Sequence, residues 1–138
     1  MYSIGQLSRR TGVKVPTIRY YEQTGLMPPA DRTSGNQRRY DTDGLERLSF
    51  IRHARGLGFP IDAISALIEL QTHPDRSCQA AGDLAQAQLD DVRNRIARLQ
   101  ALESELDRIV AGCDGKGAAG DCHVMTALAD HDLCAQDH

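Results

Sequence analysis

Cys78, Cys113 and Cys122 are the side chains best suited to chemistry, with 34 residues between the first two and eight between the last two. Thiolates favour soft or borderline ions such as zinc, cadmium, lead, mercury and copper(I). Cys113 and Cys122 flank a glycine-rich loop and converge easily on one ion. His123, beside Cys122, is either a fourth ligand or a helix-cap histidine at the surface. In the tail, His131, Cys134 and His138 lie three and four residues apart, so one helical turn would group them as an auxiliary metal site or a lid. The other reading of that tail is a frayed polar terminus.

A second set of residues suits a polyanion. Thr17-Ile18-Arg19-Tyr20-Tyr21-Glu22 reads as a helix whose Thr17, Arg19 and Tyr20, with Lys14 just before them, can reach base edges and phosphates in a major groove. Ile18 and Tyr21 would face the protein. Arg32, Arg38, Arg39 and Tyr40 follow, well placed to grip flanking phosphates. An ordinary amphipathic surface helix is the competing interpretation of the first string. Charge leans the other way: residues 1–60 hold 10 Lys/Arg against 5 Asp/Glu, whereas residues 61–138 hold 6 against 14. One half is fit to meet a polyanion and the other is not.

Catalysis finds little support. A thiol hydrolase or redox enzyme needs a nucleophile, a positioned base and an oxyanion site. Cys122 with His123 is the one adjacent pair of that kind, and neighbours in sequence rarely point at each other. No phosphate loop or paired-carboxylate site stands out, so the chain reads as a binding protein, not an enzyme. It shows no secretory signal and no apolar run near the roughly 20 residues that span a bilayer. A cytoplasmic protein without a membrane partner is expected, and its four cysteines are then metal ligands or reactive thiols, not disulfides.

The elements that must carry these residues follow from local signals. Ser3 with Gln6 forms a capping-box pattern before a short helix over residues 4–11, which Gly12 ends. Pro16 opens a second helix that stops at Gly25, making a helix-turn-helix candidate. Residues 26–40 contain Pro28, Pro29 and Gly35 and allow only a turn or small hairpin, a wing. Asp41 or Asp43 caps a third helix to about Arg55 with Leu45, Leu48, Ile51 and Ala54 on its buried face. Gly56 and Gly58 close it, and Pro60 opens a fourth helix with an Ile61, Ile64, Leu67, Leu70 stripe. After a connector over 72–77, roughly 33 residues run without Pro to Gly112. Leu89, Val92, Ile96, Leu99, Leu102, Leu106 and Ile109 recur there at steps of three and four, the narrow seam of a coiled coil. A short helix over 124–129 and a polar tail complete the chain.

A helix on the order of 50 Å long keeps Cys78 away from Cys113 and Cys122 of its own chain. Antiparallel pairing of two such helices would bring Cys78 of one chain beside Cys113 and Cys122 of the other. That arrangement predicts a homodimer with two equivalent inter-subunit sites.

Several of these strings resemble the MerR family of regulators. They are Ile4-Gly5-Gln6-Leu7, Gly12-Val13, Thr17 to Glu22, Gly25-Leu26 with Pro28, and the wing Gly35 to Tyr40 with its Arg38-x-Tyr40 signature. Leu48 to Ile51 and Gly56 to Phe59 continue the match, which reaches about Leu128. The resemblance implies a mainly all-α fold: a winged helix-turn-helix DNA-binding domain with connecting helices (1–72), a long antiparallel coiled-coil dimerisation helix (78–112), and a C-terminal metal-binding loop, short helix and tail (113–138). Asp31 to Asn36 and Glu46 to His53 look closest to the cadmium/lead and zinc branches. Copper(I) branches generally lack a cysteine at the place of Cys78. Zinc-type members often carry a second loop Cys and a loop His, where this chain has Gly112 and Gly117. The ion implied is therefore divalent and thiophilic: cadmium, lead or zinc, with mercury also within reach. The function implied is metal-triggered activation of efflux or detoxification genes from a palindromic promoter element, with RNA polymerase engaging DNA that the regulator bends and undertwists. A cysteine-rich metal buffer or chaperone without DNA function is the alternative, and it leaves Thr17 to Glu22 and the Arg38–Tyr40 wing unexplained.

Overall fold

The structure, a computed structural model, describes residues 1–35 and 37–130. The tail donors His131, Cys134 and His138 lie outside the described residues. Described are α1 (Ile4–Thr11), α2 (Val15–Gln23), β1 (Asp31–Arg32), β2 (Arg38–Arg39), α3 (Thr42–Gly56), α4 (Ile61–Gln71), α5 (Gln79–Ala111), a 3-10 turn (Ala119–Asp121) and α6 (His123–Ala129). Two compact units divide at Leu84 and Ala85, inside α5. None of the described helices is long and apolar enough to cross a membrane.

The first unit is built on local signals. Gln6 N–H donates to Ser3 Oγ at 3.1 Å while Ser3 N–H donates to Gln6 Oε1 at 2.8 Å, a complete capping box. Gly12 ends α1 in the left-handed region at φ 77°. The buried Thr11 hydroxyl closes the tight turn: it donates to Leu7 O at 2.8 Å and accepts from Val13 N–H at 3.2 Å. Pro16 sits in the first turn of α2, where its missing N–H costs nothing. Asp41 caps α3 by accepting from Gly44 N–H at 2.9 Å.

These elements share one core. Leu7, Ile18, Met27, Leu48, Ile51 and Ile64 are its fully buried side chains. In the wing, β1 and β2 pair antiparallel with Asp31 opposite Arg39 and Arg32 opposite Arg38. The stripe on α4 differs from its expected form. Ile64 and Ile68 are the residues it buries, four apart and so on one face. Leu67 and Leu70 are half-buried and line a cavity of about 280 Å³ with Phe50, Pro74 and Cys78.

The second unit contains most of α5, whose 33 residues match the expected length. Leu89, Val92, Ile96, Leu99 and Leu106 are exposed in the single chain, as a seam awaiting a partner requires. The seam's last residue is not Ile109, which is 7% exposed, but its neighbour Val110, at 64%. Near its C-terminal end the helix has two apolar faces about 100° apart. Buried Glu105 and Ile109 lie on one, while exposed Leu106 and Val110 lie on the other.

A Cβ on Gly12 would meet the Arg52 guanidinium at 3.0 Å as well as the left-handed backbone. Gly12→Ala is therefore expected to lower the unfolding free energy in urea by about 1–2 kcal/mol. Gly56→Ala, where an added methyl meets nothing within 4 Å, should leave it unchanged or slightly raised.

Candidate nucleic-acid interface and dithiol loop

The amphipathic period of α2 sorts its side chains. Ile18 and Tyr21 are buried, Arg19 and Tyr20 are exposed, and Thr17 is half-buried. Lys14 is exposed at the N-cap. In the wing, Arg32 is exposed and Arg38 and Arg39 are half-buried. Tyr40 departs from the surface position expected for a phosphate donor: it is 3% exposed. The cause is an isolated bridge in which Tyr2 N–H donates to Tyr40 O at 2.7 Å and Tyr40 N–H to Tyr2 O at 2.8 Å, drawing the end of the wing into the core.

Glu22 is the functional residue that sequence reasoning missed. It leaves the buried side of α2 one turn after Ile18, with its side chain 11% exposed, and Arg38 Nη1 donates to its Oε2 at 3.4 Å. Its other oxygen, Oε1, and Tyr40 Oη are both buried without a hydrogen bond of full geometry. Burial first, then the hydrogen bond and negative charge of Glu22, raise the Tyr40 phenol pKa well above its ordinary value, with Arg38 opposing. Through Arg38 this carboxylate fastens the wing to α2. A carboxylate four residues after a core isoleucine, amid a cationic segment, was the available signal.

Three arginines of α3 are likewise committed to carbonyls. Arg47 donates to Leu26 O at 3.3 Å, Arg55 to Phe59 O at 3.0 Å, and Arg52 to Thr11 O at the end of α1. Arg47 and Arg52 tie the helix-turn-helix to α3, while Arg55 caps the end of α3 itself. On α2 and the wing, Lys14, Arg19 and Arg32 are exposed.

In the second unit the loop from Cys113 to Cys122 brings two sulfurs to 3.8 Å. That is far beyond a disulfide bond of about 2.05 Å. It matches two thiolates sharing a tetrahedral ion, which at bonds of about 2.3 Å stand about 3.8 Å apart. Gly115 and Gly117, at φ 74° and 87°, make the turns that fold the ends together. Cys122 is the N-cap of α6. The backbone N–H groups of Met125 and then Val124, followed by the Cys113 thiol, lower its pKa, against desolvation and the charge of Asp114. Its thiolate is thereby favoured, the form that binds metal.

Cys78 is exposed just before α5 and belongs to the first unit. No three His, Cys, Asp or Glu side chains converge on a common point among the described residues. Within the second unit Cys113 and Cys122 come together, and among the described residues His123 does not join them in a three-donor set. His53 is exposed, and His73 Nε2 lies 3.4 Å from Glu69 Oε1.

Comparisons with known proteins cover both units. Residues 2–71 match the family described as MerR HTH family regulatory protein, and residues 45–109 match the family described as MerR, DNA binding. The HTH-type transcriptional regulator ZntR of Escherichia coli is 38% identical over 93% of this chain and 92% of that one. The mercuric resistance operon regulatory protein of Serratia marcescens is 34% identical over 91% and 86%. Among solved structures, the transcription regulator PbrR691 of Ralstonia metallidurans, in complex with lead(II), superposes with a TM-score of 0.79 at 35% identity, covering 93% of this chain and 99% of that one.

Glu22→Ala should release Arg38 and leave a gap beside the buried Tyr40 phenol, a loss on the order of 1–3 kcal/mol. The expected outcome is about tenfold weaker duplex binding in fluorescence anisotropy with helix content preserved, and a smaller loss for Glu22→Gln. The raised phenol value also sets a pH window. Above pH 10, the ordinary tyrosine value, the unfolded chain releases a proton that the folded one retains, so stability falls as pH rises. Tyr40→Phe should flatten that part of a stability-versus-pH curve.

Proposed function

The chain belongs to the MerR family of helix-turn-helix regulators, and on that premise we propose that it is a homodimeric sensor of a divalent thiophilic ion that activates metal efflux or detoxification genes. As a family member it is a metal-responsive, DNA-binding transcriptional regulator and not an enzyme. A metal buffer without DNA function does not fit a chain whose residues 45–109 match a DNA-binding family.

The observation that carries the reading is the Cys113–Cys122 pair at 3.8 Å, a spacing suited to a shared ion. Cys113 and Cys122 supply two thiolates, and Cys78 of the partner subunit supplies the third. Support for the partner's role comes from the chain itself: Cys78 and the pair flank opposite ends of α5 in sequence, and the α5 seam is exposed. The bound ion, when present, adds a coordinate link between subunits. Relatives named for mercuric resistance and solved with lead(II) favour a soft or borderline ion, with cadmium, lead and zinc ahead of mercury.

On the DNA side, Lys14, Thr17, Arg19 and Tyr20 address the major groove, while Arg32, Arg38 and Arg39 hold flanking phosphates. Tyr40 sets the wing's attitude from beneath. Three segments divide the work: 1–72 binds the promoter, 78–112 pairs the subunits and 113–138 holds the ion. A link made across the dimer at the end of α5 changes the angle between the two DNA-binding units. The promoter between them is bent and undertwisted so that RNA polymerase can engage it, a deformation on the order of a few kcal/mol that protein–DNA contacts offset.

Cys113→Ser should retain operator affinity within about twofold while abolishing metal-induced transcription in vitro; full induction by this variant would defeat the assignment. Arg19→Ala should do the reverse, weakening operator binding by about 1–3 kcal/mol and leaving metal affinity nearly intact. Titrating the reduced dimer with zinc, cadmium, lead and mercury alongside transcription identifies the ion.

A further inference from the structure

The His123 imidazole lies directly on the backbone of Gly112. A Cβ built on Gly112 would stand 2.3 Å from His123 Cδ2, 2.6 Å from Nε2 and 2.8 Å from Cγ. No side chain larger than hydrogen fits there without moving the ring. Gly112 immediately precedes Cys113, and His123 immediately follows Cys122. The contact therefore closes the loop just outside its two sulfurs, which stand 3.8 Å apart.

Little else seen in the loop does this. Its hydrogen bonds are local: Lys116 N–H to Asp114 Oδ1, Asp121 N–H to Ala118 O and Cys122 N–H to Ala119 O. Three glycines lie between the cysteines, at 115, 117 and 120, and a Cβ on any of them would meet nothing within 4 Å. A chain so free has many ways to hold its sulfurs apart, and each costs conformational entropy to exclude. A planar ring resting on a bare Cα at the end of α5 excludes most of them at a single point.

We propose that His123 is a positioning residue, a clasp that seats on Gly112 and holds Cys113 and Cys122 at chelating distance, and not a metal ligand. Among the described residues the imidazole does not converge with the two thiols into a three-donor set. Its Nε2 is over Gly112, where a Cβ would collide with it. Glycine at 112 is thus a requirement of the loop, since any Cβ unseats the ring. The inference rests on the reading that these thiols hold the ion, but the clasp itself is testable without metal.

The test uses the reduced full-length protein and the variants His123→Ala, His123→Phe and Gly112→Ala. In the metal-free state, the rate at which diamide joins Cys113 to Cys122, followed by mass spectrometry of the linked peptides, reports how well the sulfurs are held together. Cadmium affinity, by competition with a chromophoric chelator, reports the same geometry in the loaded state. His123→Ala and Gly112→Ala should each slow disulfide formation and weaken cadmium binding about tenfold, the scale on which supporting residues act at metal sites. His123→Phe, flat but without a donor nitrogen, should stay within about twofold of the parent in both. Equal losses for His123→Phe and His123→Ala in cadmium affinity, with Gly112→Ala unaffected, would make the histidine a ligand and overturn the clasp. Unchanged disulfide rates in all three variants would also overturn it. Should Cys113→Ser bind cadmium as well as the parent, the sensor reading fails instead, and the metal-free rates still decide the clasp.

Discussion

A carboxylate held among cations gives the DNA-facing half its form. Glu22 is nearly buried on the recognition helix, and desolvating its charge is tolerable only because Arg38 reaches it from the wing and the Tyr40 phenol lies beside it. Two short strands of two residues each could not hold a wing in place by their own ladder. Fastening them through Glu22 and through the Tyr2–Tyr40 bridge makes wing and recognition helix a single surface. Arg47, Arg52 and Arg55 of α3 add support of another kind, donating to carbonyl groups at helix and turn ends. Arg52 and Arg55 stay exposed while making these bonds, so one side chain can brace a carbonyl and still present its charge to solvent.

The loop that holds the thiol pair obeys a different economy. Its glycines bring flexibility and its hydrogen bonds are short-range, so the sulfur spacing depends on a few contacts at its rim. The α6 backbone supplies a further effect: N–H groups of Val124 and Met125 favour the Cys122 thiolate. Order in this region comes from its edges, whereas order in the DNA-facing unit comes from a shared core.

Local signals were legible in the sequence, and long-range ones were not. Ser3 with Gln6, Gly12, Asp41 and Pro60 mark helix ends because each acts within three or four residues, and the structure places the ends within one or two positions of those marks. The length of α5 follows from the absence of Pro between Cys78 and Gly112. What escaped were pairings across the chain: Glu22 with Arg38, 16 residues apart, and Arg52 with Thr11, 41 apart. A basic tyrosine-bearing wing reads as a row of donors until the bridge to Tyr2 shows which of them is pulled inward. The exchange of Ile109 for Val110 has the same origin. A heptad pattern reports which residues are apolar, while a second packed face on the same helix decides which of them are already taken. In the loop, the thiol pair was readable from spacing, but the His123 ring on Gly112 depends on a missing Cβ, which a sequence records merely as another glycine.

The uncovered stripe on α5, from Leu89 through Leu99 to Val110, bears on how such a regulator lives in a cell. A solitary copy displays an oily ridge to water, the kind of surface that chaperones hold and proteases find. Pairing hides it, so mass action ties survival of each polypeptide to the arrival of another. Surplus unmatched copies are the ones removed first, and the pool that persists consists of assembled molecules, each with two reading heads.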